Sequence, residues 1–145
     1  MDLKPLYVDA PVPFVRTDFS DDDGWARVVA AATATQGLDA EEPGDFEANI
    51  EPISDPQYDG LSPAALADGA PEDYIGFVFL VDATSYASDE LTVVVVDLDE
   101  EPGRSFRTVV GEVSAIEANL SLANMDFEDW ADSVDGDGVF RAFAD

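Results

Sequence analysis

Apolar and polar positions along this chain change period several times, and each change marks an element. Phe14-Val15-Arg16-Thr17-Asp18-Phe19 is rich in β-branched and aromatic residues and predicts a strand. Ser20 follows as a predicted N-cap, and Asp21, Asp22 and Asp23 put negative charge at the positive end of a helix dipole. From about Asp21 to Thr35, Trp25, Val28, Val29 and Ala32 recur at the i, i+3, i+4, i+7 spacing of one buried helical stripe. Gln36-Gly37 ends that pattern. The acidic stretch 39–45 predicts a solvated loop before a second strand at 46–53, whose Pro52 confines it to an edge or a terminus.

Asp55-Pro56-Gln57-Tyr58-Asp59-Gly60 is a turn cluster, and Ser62-Pro63 supplies an N-cap and a first-position proline for a short second helix. Residues 74–81 and 91–98 are near-continuous apolar runs and predict strands buried on both faces. The 82–90 connection is too short for a crossover helix, so these strands should pair antiparallel. The turn Asp99-Glu100-Glu101-Pro102-Gly103-Arg104 then returns the chain into a strand at 105–110. Val113, Ile116, Leu120 and Ala123 predict a helix, and Asn124 or Asp126 caps a last one carrying Phe127, Trp130, Ala131 and Val134. Val139-Phe140-Arg141-Ala142-Phe143 predicts a closing segment that docks its aromatics. The fold class is thus α+β, a mixed β-sheet of about five strands in the order β-α-β-α-β-β-β-α-α with helices packed on it. Residues 1–12 form an extended arm punctuated by Pro5 and Pro11, and 13–145 one globular domain.

Charge changes the picture of the surface. Six Lys plus Arg face 33 Asp plus Glu, a net charge of −27. A hydrophobic share of 46% still supplies a core, and a domain near 145 residues buries about 68–70% of its unfolded surface, so the charge does not imply disorder. The acids are scattered along the chain, which fits a hydrated, salt-adapted surface better than ordered mimicry of a nucleic acid backbone. A field of this sign repels nucleic acid and anionic lipid, so neither is an expected partner. No stretch approaches the roughly 18 apolar residues of a membrane span, and the start lacks a signal-peptide layout, which predicts a cytoplasmic protein.

Histidine and cysteine are both absent, which removes disulfides, thiolate metal sites and the usual general base. Ser20, Ser62 and Ser121 therefore have no histidine to activate them. Carboxylates do stand at predicted strand ends: Asp18, Asp82, and Asp97 with Asp99. Should those ends coincide, Asp18, Asp82 and Asp97 would make a pocket for Mg²⁺ or Ca²⁺, hard ions that take oxygen ligands. The plainer reading is that 33 acids put one at nearly any strand end. Such a pocket is similar to that of response-regulator receiver domains, which need a lysine after a late strand; the single lysine here is Lys4. Asp135-Gly136-Asp137-Gly138 fits a glycine-rich turn better than a calcium loop, whose frame would put Ser133 and Ala144 at ligand positions. Arg16, Arg104, Arg107 and Arg141 are expected to pair with nearby acids, and Trp25 and Trp130 to join the core.

The segments Val15–Asp22, Asp55–Leu61, Glu101-Pro102-Gly103-Arg104-Ser105-Phe106-Arg107 and Asn119–Phe127, with Asp137–Arg141, resemble a family of small acidic bacterial proteins of unknown function. The resemblance spans roughly residues 13–143 and implies kinship without transferring a site. With no cofactor implied, the residues predict a non-enzymatic binding or regulatory protein for a basic protein partner, in the manner of an immunity protein or adaptor. The alternatives are a divalent-metal-dependent hydrolase using Asp18, Asp82 and Asp97, and a nucleic-acid mimic.

Overall fold

The computed structural model describes residues 11–34, 49–69, 76–87, 90–121 and 126–141. Strands form at Val12–Arg16 (β1), Ile50–Ile53 (β2), Phe77–Val81 (β3), Thr92–Asp97 (β4), Ser105–Val109 (β5) and Val139–Phe140 (β6). Helices form at Asp22–Thr33 (α1), Pro63–Gly69 (α2), Ala83–Tyr86 (α3), Val113–Ser121 (α4) and Phe127–Ala131 (α5). The strands make one mixed sheet in the order β2-β1-β3-β4-β5-β6. β1 pairs in parallel with β2 and β3, β4 runs antiparallel to both β3 and β5, and β6 lies parallel to β5. Five strands therefore point one way and β4 the other.

The apolar runs behave as their composition dictates. Every residue of β3 and of β4 is buried, so these strands form the centre of the sheet. On one face Phe14, Phe79, Val93 and Val95 pack beneath Val28 and Ala32 of α1, Val113 and Ile116 of α4 and Trp130 of α5. On the other, Val15, Val78, Leu80, Val94 and Val96 meet Tyr58 and Leu66 of the shorter cover made by α2 and the turn before it. Each fully buried side chain of this size contributes about 1.5–3 kcal/mol. β2 is an edge strand carrying Pro52, and Glu117, buried on α4, anchors its entry by accepting from the Asn49 N–H at 2.6 Å.

Several expectations need correction. Val12, assigned to the arm, is 1% exposed and begins β1, because its side chain faces the core. Among the described residues the sheet has six strands, since Val139 and Phe140 add parallel to β5. Asp21, rather than Ser20, caps α1 by accepting from the Gly24 N–H at 2.8 Å, while Ser20 turns back to Asp18. Residues 82–90 contain the single-turn helix α3, capped by Asp82 through the Ser85 N–H. Ser62 does cap α2, accepting from the Ala65 N–H at 3.1 Å. The first ten residues of the arm, the 39–45 loop, residues 46–48, 74–75, Ala123, Asn124 and Phe143 lie outside the described residues.

Candidate functional site

The chain leaves β1 for β2 on one side and reaches β3 on the other, so its direction reverses between β1 and β3. In open sheets such a point, at the carboxyl ends of the strands, is where ligands bind. Asp18 and Asp82 both stand there, near enough to feel each other's charge. Asp97 does not. Its register partner is Phe77, at the opposite end of β3, so the length of that strand, about 17 Å at about 3.3 Å per residue, separates it from Asp82. The three-carboxylate pocket is thus corrected: β4 runs against its neighbours, and a residue that follows it emerges at the other end. Among the described residues no three acidic side chains converge well enough to hold a metal ion.

At the reversal point the polar groups satisfy one another. Thr17 continues the β1–β3 pairing past the strand end, donating its N–H and its hydroxyl to the Val81 carbonyl at 2.8 and 2.9 Å. Arg16 is 5% exposed; it donates to the Asp18 carbonyl at 3.0 Å and to Asp22 at 2.6 Å, and its guanidinium lies 4.5 Å from the Phe19 ring centroid. Tyr86 donates to the same Asp18 carbonyl at 3.0 Å. Arg107 forks onto both oxygens of Asp82, at 3.0 and 2.6 Å, and also reaches Thr92. Burial pushes the Asp82 carboxyl up, but the Arg107 fork and Ser85 outweigh it and hold the group below its ordinary value. Bonds from the Ser20 hydroxyl and N–H likewise depress Asp18. A cation here would have to displace Arg107, and an anion would meet two ionised carboxylates.

The opposite end differs. Asp97 is 5% exposed, and its carboxylate accepts from the N–H groups of Asp99 at 2.9 Å and Glu101 at 3.0 Å. Gly103, at φ 95°, lets the turn close back so that its N–H reaches the Asp97 carbonyl at 2.8 Å. A braced turn therefore presents Asp99 and Glu100 beside a cavity of ≈ 130 Å³. Phe77, Leu120 and Phe127 line it with apolar surface, while Asp97, Asp99, Glu100 and Asp126 supply carboxylates. None of the described residues lining it is basic. Repulsion from Asp126 above all, then loss of hydration, then the charges of Asp99, Asp97 and Glu128 push the Glu100 carboxyl above its ordinary value.

Asp97 and Asp99 were singled out from sequence, but for the wrong end of the sheet. Glu100, Asp126 and Phe127 were not. Their signal was spatial: Asp97, Asp99 and Glu100, which end and follow β4, meet Leu120 of α4 and Asp126 and Phe127 at the start of α5 around this cavity, and Arg104, farther along the turn, lies 6.0 Å from the Phe127 ring.

A family model matches residues 11–143. The chain belongs to the family described as Domain of unknown function (DUF6924). No curated protein matches it. For this DUF6924 domain the matched span runs from the residue before β1 to just past β6, so the sheet and both of its ends lie within the family unit. No helix among its described residues is long and apolar enough to cross a membrane.

Proposed function

We propose that this DUF6924 domain is a non-enzymatic binding or regulatory protein, working in the cytoplasm, whose partner is a basic protein. The observation that carries the reading is where its charges are balanced. Arg16, Arg104, Arg107 and Arg141 are each ion-paired within the domain, Arg141 with Glu90, Asp135 and Asp137 together. Those pairs use a small part of the 33 acids, and among the described residues the cavity below β4 is lined by four acidic residues and no basic one. Complementary potential speeds encounter with a positive surface and rejects negative ones.

The test is calorimetric titration of the purified domain with a folded basic protein recovered from its native cell, across a series of KCl concentrations. A saturable one-to-one complex whose affinity falls with salt supports the role. Binding that is equally weak for every cationic protein, or a stoichiometric Mg²⁺ or Ca²⁺ site lost in an Asp82→Asn variant, refutes it, the second in favour of metal-dependent hydrolysis. Displacement of the domain by duplex DNA from a nucleic-acid-binding partner would identify the mimic instead.

A further inference from the structure

We infer that the cavity below β4 receives an arginine side chain of the partner, an assignment that rests on the basic-partner reading above. A volume of ≈ 130 Å³ is about four times the share of one liquid water, enough for a planar guanidinium and the methylene that carries it. The lining matches both halves of such a group. Phe77, Leu120 and Phe127 meet the stem and the flat face, and Asp99, Glu100 and Asp126 meet the N–H edge.

The domain already shows this chemistry on the same ring. Arg104 holds its guanidinium 6.0 Å from the Phe127 centroid while donating to Glu101 at 2.8 Å and to Asp132 at 2.9 Å. A cation near Phe127 between carboxylates is therefore an arrangement this surface already makes, and the cavity sets Asp99, Glu100 and Asp126 beside the same ring with no basic residue among its described lining residues. Arginine fits better than lysine, because its flat fork meets several carboxylates at once and stacks on a ring, whereas an ammonium is a strongly hydrated point charge. The receiving geometry is set in advance: the buried Asp97 carboxylate braces the turn, so little ordering cost falls on binding.

The experiment titrates the intact domain with acetyl-Gly-Arg-Gly-amide and acetyl-Gly-Lys-Gly-amide, following backbone NMR signals. The arginine peptide should shift Gly76, Leu120 and Phe127 saturably and bind at least about threefold tighter than the lysine peptide. Glu100→Gln removes one exposed charge without touching the core and should weaken it about tenfold, the loss of one charge-assisted bond. Equal affinity for the two peptides, shifts scattered over the acidic surface, or indifference to Glu100→Gln would overturn the assignment. The two readings fail separately. A basic protein that binds wild type and Glu100→Gln equally removes the cavity and leaves the partner class, whereas failure of every basic protein removes the partner class whatever the tripeptide does.

Discussion

Replacing Gly24 with alanine sets helix propensity against packing, and the two have opposite signs. Gly24 lies in the first turn of α1, where alanine gains up to about 1 kcal/mol over glycine if the site is open. It is not open. A Cβ there would stand 2.8 Å from both Cγ and Cδ1 of Tyr86 and 2.9 Å from an Asp21 carboxylate oxygen. Carbon atoms prefer about 3.5–4.0 Å, so the ring must retreat by about 1 Å. Its freedom to do so is limited, because its hydroxyl donates to the Asp18 carbonyl at 3.0 Å and α3 is capped by Asp82. Overpacking costs about 1–3 kcal/mol and a lost hydrogen bond about 0.5–1.5 kcal/mol. Subtracting the full propensity gain leaves a net destabilisation of about 0.5–3.5 kcal/mol, or about 2–11 °C in Tm for a domain of this size. Urea unfolding followed by circular dichroism should show a lower midpoint with an unchanged slope. Tyr86→Leu should absorb most of the clash, so the double variant should be less destabilised than the sum of the singles. A Gly24→Ala protein at least as stable as wild type, or strict additivity with Tyr86→Leu, would refute the argument.

Other expectations follow from the charges and the thinner face. Leu66→Ala, at a fully buried position on the face covered by α2, should cost about 2–5 kcal/mol, read from urea midpoints. Asp82→Ala removes both the α3 cap and the Arg107 partner; with the pair partly exposed, about 1–2 kcal/mol is expected from the same assay. Asp82, Glu90 and Asp137 have folded values below the ordinary 3.8 and 4.5, the last two chiefly through hydrogen bonds from Arg141. Their stabilisation is complete above those ordinary values and is lost as pH falls through the depressed ones, so Tm should drop on acidification, less steeply in Arg141→Met. Glu112 has the reverse sign: burial raises it above 4.5, so its ionisation opposes folding as pH rises, and Glu112→Gln should raise Tm at neutral pH with the gain vanishing below that value. Added KCl should raise Tm by screening the net charge of −27, and a fall in Tm would contradict that account.

The centre of the sheet was legible because β3 and β4 are buried on both faces, which leaves unbroken apolar runs that no amphipathic helix produces. β6 was not, since two residues carry no period, and α3 was hidden because one helical turn fits inside a connection of loop length. The cap of α1 was misplaced by one residue: Ser20 and Asp21 are both good caps, and only the bonds from Ser20 to Asp18 decide between them. The carboxylate pocket failed for a reason already present in the chain. Antiparallel pairing of 74–81 with 91–98 was the expectation, and it sends Asp97 to the far end from Asp82. Grouping acids by their position after a strand ignored strand direction. The cavity that does form depends on segments about twenty residues apart, which no local spacing reveals.

Pro52 has a consequence for how copies of the molecule meet. Among the described residues β2 is the outermost strand on one side of the sheet, and a ring nitrogen there carries no hydrogen for an incoming backbone to engage. Exposed Glu51 beside it repels an identical neighbour at short range even after dissolved salt has quieted the long-range field. Along that margin, dispersal is written into the backbone as well as the charge, and concentrated brine can steady the fold without inviting strand-to-strand growth.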